Sequence, residues 1–287
     1  GWYFGWLFIL MPLNMKKIYM CLFLLLCLVS CEKEEFNIVN LNGNKITALG
    51  HGGMGIGSTY PMDSFESISM CLNLGMDGSE MDVQMTKDSV LVAYHDNELA
   101  GNTTLSGIIN SKNWKEIQQA RYSHSPYLGY SLVSLDQLFA GIKNYDNYKF
   151  TFDCKLIQDE NNKNFYYTYI NALIAIVEKY ELEDNIYIES QSATFLSILK
   201  EKKPEFKLFI YPDSFNSGLK TAVELGICGI TISTRDITTA QIKQAHDHNL
   251  MVAIWNTLSE SDNIEAIKKN PDFIQTDKVR NLIKLLK

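Results

Sequence analysis

Residues 77–96 read DGSEMDVQMTKDSVLVAYHD, and the fold is decided there. Two strand-like runs, residues 78–84 and 89–95, flank a polar turn, Thr86-Lys87-Asp88. Side chains alternate along a strand, so Glu80 and Asp82 share one face while Met81 and Val83 share the other. Two carboxylates on one face of a buried strand are costly unless a cation or a basic group compensates them. The second run is apolar through Tyr94 and then ends in His95-Asp96. Ionisable groups at the end of a barrel strand point to an active-site rim. Two further strand-like segments end the same way. Ala48-Leu49-Gly50 runs into His51, and Phe150-Thr151-Phe152 runs into Asp153-Cys154-Lys155.

Working outward, strand-like segments recur at 46–51, 78–84, 90–95, 149–153, 185–189, 206–211, 229–233, 251–255 and 273–276. Helical patterns lie between most of them, at 63–74, 135–143, 164–180, 192–202, 214–225, 238–248, 261–269 and 278–286. Strands alternating with helices predict a parallel sheet, and this many units in about 250 residues predict an α/β fold of the (β/α)8 TIM-barrel kind. The second and third strands leave no room for a crossover helix, and the surplus strand has no assigned place. Residues 97–134 have little periodicity and read as an extended rim loop. Arg121, Tyr122, His124 and Tyr127 fall in that loop and read singly as surface.

Glu80, Asp82 and Asp153 would supply three carboxylates from two strand ends, a donor set for a hard divalent cation, Ca2+ or Mg2+. No Cys/His cluster argues for zinc. Lys155 is the same-face neighbour of Asp153 and would pair with it. An imidazole titrates near neutral pH, so His51 and His95 can divide general-base and general-acid work across a phosphate. His246 and His248 read as a solvated helix end. The run Gly50-His51-Gly52-Gly53-Met54-Gly55 matches G-x-G-x-x-G, but no helix opens at its second glycine, which argues against a dinucleotide fold.

These motifs resemble those of the glycerophosphodiester phosphodiesterases. That family's pattern runs His-Arg-Gly, Pro-Glu-Asn-Thr, Gly-Ala-Asp-x-x-Glu-x-Asp-Val, Thr-Lys-Asp-Gly-x-x-Val-x-x-His-Asp and Glu-x-Lys. This chain has His51-Gly52-Gly53, Pro61-Met62-Asp63-Ser64, Gly75 through Glu80-Met81-Asp82-Val83, Thr86-Lys87-Asp88 through His95-Asp96, and Asp153-Cys154-Lys155. The resemblance implies catalysis by His51 and His95, metal binding by Glu80, Asp82 and Asp153, and a phosphate contact from Lys155. It also implies substrate contacts at Ser190 and Trp255, each at a strand end, and at Gly52. Gly52 stands where the family has arginine, so backbone N–H groups of the 50–57 loop, or Arg121 or Arg235, would have to grip the phosphate. Asp153 is one methylene shorter than the family glutamate. Thr276-Asp277 matches the family's last Thr-Asp pair and is expected to cap the final helix.

The 287-residue chain is acidic, with formal charge −7, three arginines and no basic cluster, which excludes a nucleic-acid partner. Residues 1–14 read as upstream sequence. From Met15 the pattern is a signal peptide, with Lys16-Lys17, an apolar run of about a dozen residues, short of the ~20 of a membrane span, and a lipobox-like Leu28-Val29-Ser30-Cys31. The expected organisation is residues 1–30 removed, residues 31–44 a tether with lipid on Cys31, and residues 45–287 the catalytic barrel. The protein would then be exported and anchored to a bacterial, outer, membrane on its periplasmic or surface side. Cys71, Cys154 and Cys228 read as buried small hydrophobes. The expected reaction is hydrolysis of a small-molecule glycerophosphodiester to glycerol 3-phosphate and an alcohol, with no protein partner. Two alternatives remain at this stage: a weakly catalytic surface lipoprotein that binds a phosphodiester or glycan, and the same chemistry on another head-group diester.

Overall fold

The structure is a computed structural model that describes residues 35–157 and 162–287. The signal segment and Cys31 lie outside the described residues. Residues 36–287 form one compact unit.

Eight parallel strands close on themselves. They are β1 (Thr47–Gly50), β2 (Gly78–Met85), β5 (Lys149–Cys154), β6 (Ile186–Ser190), β7 (Lys207–Ile210), β8 (Gly229–Ser233), β9 (Met251–Thr257) and β10 (Phe273–Thr276). Closure is made by β1, which pairs with β10 on one side and β2 on the other. Helices α1 (Phe65–Asn73), α3 (Leu135–Gly141), α4 (Lys163–Lys179), α5 (Ala193–Lys202), α6 (Phe215–Leu225), α7 (Thr239–Asp247), α8 (Glu260–Lys268) and α9 (Val279–Leu286) follow the barrel strands. The expected (β/α)8 barrel is thus the fold.

The surplus strand is β3 (Leu91–Ala93), which runs antiparallel to the end of β2 and carries the short β4 (Val133–Ser134) on its far side. β2 is eight residues long. Its first half closes the barrel and its last three residues pair with β3, outside the barrel proper. The strand expected at 90–95 is therefore shorter, and His95 sits in the loop beyond it.

Burial explains the alternation. Met81 and Val83 join a large apolar layer with Phe150, Phe152, Tyr169, Ile188 and Phe195 between sheet and helices. Inside the barrel, Leu49, Phe209, Ala253 and Phe273 fill the lower end. Each fully buried Leu, Ile, Val, Met or Phe among them contributes about 1.5–3 kcal/mol relative to exposure. Helix starts are marked by polar caps, among them Ser64 for α1, Ser192 for α5 and Thr238 with Gln241 for α7.

The rim segment 97–134 is folded rather than loose. It holds a short helix, α2 (Trp114–Ile117), and packs Leu99, Ile109, Ile117, Tyr122 and Leu132 against Val92 and Tyr94. Residues 36–44, expected as tether, touch the barrel: Phe36 and Ile38 pack on the core, Val39 N donates to Asn270 and Leu41 N to Asp272. His246 is not solvated as expected. Its Nε2 lies 2.9 Å from the buried Asp272 carboxylate, which also accepts from Val252 N, so it ties α7 to the barrel floor. Cys71 and Cys154 are buried and Cys228 half-buried, all three unpaired.

Candidate active site

The site lies at the ends of β1, β2, β5 and β6. Adjacent parallel strands place Asp82 beside Asp153 and Asp153 beside Glu189. Glu80, Asp82, Asp153 and Glu189 are all buried. One cation faces them from within the chain: Lys155 Nζ lies 2.9 Å from Asp82 Oδ1 and 2.5 Å from Asp153 Oδ2. The expected pairing of Lys155 with Asp153 is present and extends to Asp82.

Four buried carboxylates against one ammonium leave negative charge in a low-dielectric interior. Burial, then the charges of Asp82, Glu189 and Asp153, push Glu80 well above the usual carboxylate range. Burial and the Asp153 charge raise Glu189 to about 8, against the hydrogen bonds from Thr231 and Gln275. Lys155 bonds to both aspartates, yet they move apart. At Asp82 burial pushes upward, and Lys155 together with His95 and His51 overcomes it, so the net shift is down. At Asp153 burial outweighs Lys155 and the net shift is up. Glu80, Glu189 and Asp153 are all shifted upward, so a cation binding among them would displace protons.

Glu80, Asp153 and Glu189 each offer an oxygen within 4.8 Å of the others, an arrangement that could hold a metal ion. Oxygens on opposite sides of one Ca2+ are about 5 Å apart, so the spread fits a single ion. Asp82 Oδ2 is buried without a hydrogen-bond partner, a further oxygen available beside the set. The all-carboxylate chemistry suits a hard divalent cation.

His51 directly follows β1. Its Nδ1 donates to Asp277 Oδ1 at 3.0 Å, which leaves Nε2 for substrate. Burial works to lower its pKa, but the bond to Asp277 and the charges of Asp277, Asp82 and Asp63 prevail and raise it. The Thr276-Asp277 pair was expected to cap the final helix. Thr276 Oγ1 accepts from Lys278 N at its start, while Asp277 holds the imidazole and Ile56 N. Gly55 allows this, since at φ +79° a Cβ there would meet Asp277 Cα at 2.4 Å.

His95 is exposed, and its Nδ1 lies 2.8 Å from Asp96 Oδ1. Gln84, buried at the end of β2, donates to Tyr94 O and Asp96 O and so fixes the loop on either side of His95. His51 and His95 line one cavity of about 310 Å3 with Met62, Asp63, Tyr122 and Tyr127. Tyr122, His124 and Tyr127, read singly as surface, are thus brought to the site. Arg121 is not, since its guanidinium is turned to Gln118 O and Ala120 O. Several loop donors are also engaged: Gly52 N with Glu80 Oε2, Met54 N with Ser67 Oγ and Ile56 N with Asp277.

Asp63 was passed over in the sequence. It is buried at φ +62°, with Oδ1 accepting Asp82 N and Oδ2 unpartnered. Its signal was only a short carboxylate where the similar motif has asparagine. Trp255 lies before the end of β9, with its ring 6.2 Å from His51 and 5.6 Å from Tyr211. Ser190 is buried and lines a second cavity, of about 660 Å3, with Asp153 and Lys155.

A closed (β/α)8 barrel with carboxylates, a lysine and two histidines at its strand ends carries the groups an acid–base hydrolase requires. The comparisons agree with this. The chain matches the glycerophosphoryl diester phosphodiesterase family over residues 54–281, and it belongs to that family of enzymes. It is 24% identical over 160 residues to a glycerophosphodiester phosphodiesterase of Bacillus altitudinis, covering 54% of this chain and 63% of that one. It is 22% identical over 237 residues to one from Caldanaerobacter subterraneus, covering 81% and 95%. An Oleispira antarctica phosphodiesterase, solved with its product sn-glycerol-3-phosphate, superimposes with TM-score 0.74 at 16% identity, over 85% of this chain and 97% of that one.

Proposed function

We propose that this chain hydrolyses glycerophosphodiesters to glycerol 3-phosphate and an alcohol, with His51 and His95 as the proton-transfer pair. The observation that carries the reading is the placement of His51 and His95 on one cavity with both imidazoles acting on Asp82, the carboxylate that Lys155 pairs. His51 is held by Asp277 so that Nε2 can take a proton from an attacking hydroxyl. His95 stands toward solvent, where a departing alcohol would be protonated. Lys155 offers positive charge to a phosphoryl oxygen. Tyr122, Tyr127 and Met62 form an apolar wall that would exclude water from the alcohol portion. Glu80, Asp82 and Asp153 are the candidates to hold a divalent cation, which when bound would polarise the phosphoryl group and neutralise its charge.

The test is alcohol release from a panel of glycerophosphodiesters with Ca2+, Mg2+ or EDTA. Turnover that EDTA abolishes is expected, with a fall of about 100-fold or more in His51→Ala. Hydrolysis by His51→Ala at the wild-type rate would sink the reading. A lipid anchor at Cys31 remains part of the proposal. Cys31→Ala should move the protein from the membrane to the soluble fraction, and an unchanged distribution would remove the anchor.

A further inference from the structure

Asp153 falls one methylene short of the glutamate in the motif it resembles, which draws its oxygens back by one C–C bond, about 1.5 Å. Its partner across the β5–β6 register is Glu189, a longer carboxylate on the neighbouring strand. Glu189 is buried and its orientation is fixed from below: Thr231 Oγ1 donates to Oε2 at 2.5 Å, and Gln275 Nε2 lies 3.2 and 3.3 Å from the two oxygens. Those neighbours leave the carboxylate within 4.8 Å of oxygens from Glu80 and Asp153, while Lys155 holds Asp82 and Asp153.

We infer that Glu189 is a direct ligand of the divalent cation, alongside Glu80 and Asp153, and supplies the reach that Asp153 lacks. The inference rests on the proposed cation-assisted hydrolysis but goes beyond it, since the sequence motif assigns this position no part in cation binding. Buried acids this close repel one another, and a shared cation is what makes their convergence favourable. Thr231 and Gln275 then act as positioning residues, orienting the ligand as outer partners of metal-bound carboxylates do.

The test is calorimetric titration of the full chain with Ca2+, in the absence of substrate, for wild type and Glu189→Gln. Glutamine keeps the volume and removes the charge. The expected result is a Kd at least tenfold weaker in Glu189→Gln, at or beyond the loss seen for outer partners. Adding Asp153→Glu to Glu189→Gln should recover much of that affinity, because the longer side chain re-enters the same space; a purely structural role would not be rescued this way. Should Glu189→Gln fail to fold by circular dichroism, Thr231→Val, which only releases the carboxylate, should weaken Ca2+ severalfold. Equal Kd in wild type and variant overturns the inference, as does a wild type that binds no Ca2+. Diester hydrolysis is read separately. An active wild type with an unaffected Glu189→Gln Kd defeats this inference alone, whereas a cation lost with Glu189 in a protein that cleaves no diester defeats only the functional reading.

Discussion

Restoring the arginine at position 52 is the most direct perturbation of the loop after β1, and the structure argues that it fails. Gly52 sits at φ +52°, in the left-handed region, where a residue with a Cβ loses about 1–2 kcal/mol. A Cβ there would lie 2.8 Å from Met62 Cβ and 2.7 Å from Met62 Cε. The Cε can swing away, but the Cβ is fixed by the backbone, and such overpacking costs about 1–3 kcal/mol. The peptide cannot rotate to relieve it. Gly52 N donates to Glu80, and Gly52 O accepts from Asp63 N and Ser67 Oγ. Together these put Gly52→Arg at about 3 kcal/mol, a melting-temperature fall of roughly 6–12 °C for a domain of this size. Thermal denaturation beside alcohol release is the assay. Gly52→Arg with Met62→Gly should recover part of the stability, because only the steric part is lifted. A Gly52→Arg protein that melts with wild type and hydrolyses faster would refute the reasoning, since the loop would then accept an arginine as built.

Further outcomes follow from the same contacts. Asp277→Asn should lower the His51 pKa, since Asp277 is what raises it; activity needs the neutral imidazole, so the acid limb of kcat/KM should move to lower pH while kcat falls. A pH profile that keeps its limb would separate Asp277 from His51. Without metal, Glu189 and Glu80 have raised pKa values, so the folded state holds protons that the unfolded chain has released. Their stabilising contribution is complete below the unfolded value near 4.5 and is lost as pH rises toward about 8. Metal-free protein should therefore be less stable at pH 8 than at pH 6, and Ca2+ should remove most of the difference; denaturant melts in EDTA test the sign. Gln84→Leu removes both bonds that hold the chain around His95, and is expected to lower kcat about tenfold or more while the cation Kd stays put.

The barrel was legible because each βα unit carries its own local signal, an apolar run followed by a helical period. The hairpin strand β3 carries the same signal as a barrel strand. Its place depends on β2 running past the barrel rim, a property of eight residues paired with three different partners, β1, β5 and β3. Glu80 and Asp82 could be read from alternation, and Asp153 from the polar end of its own apolar run. Asp277 could not, because its bond to His51 spans 226 residues and exists only once β1 pairs with β10. Glu189 was hidden differently, as one acid ending the apolar run Ile186-Tyr187-Ile188. It became interpretable once register set it beside Asp153. His246 was misread because its burial depends on Asp272, on another element.

The two departures from the motif meet different neighbours, and this separates their consequences. At position 52 the missing side chain is replaced by bulk: Met62 stands where an arginine would begin and turns that wall of the His51–His95 cavity apolar. Charge lost there is not regained from Arg121, which is held elsewhere; on the proposed mechanism Lys155 supplies the phosphate-facing charge within the cluster. Phosphate binding should then depend on Lys155 more heavily than a site with two cations would require, and lysine-to-methionine replacement should affect KM as well as kcat. At position 153 the shortened carboxylate has an acid beside it instead, so what is lost in reach is available from β6. The first departure alters what the site can grip; the second alters only which strand supplies the oxygen. Substrate preference should therefore follow Gly52 and Met62, and cation affinity should follow Asp153 and Glu189, with little crossing between the two pairs.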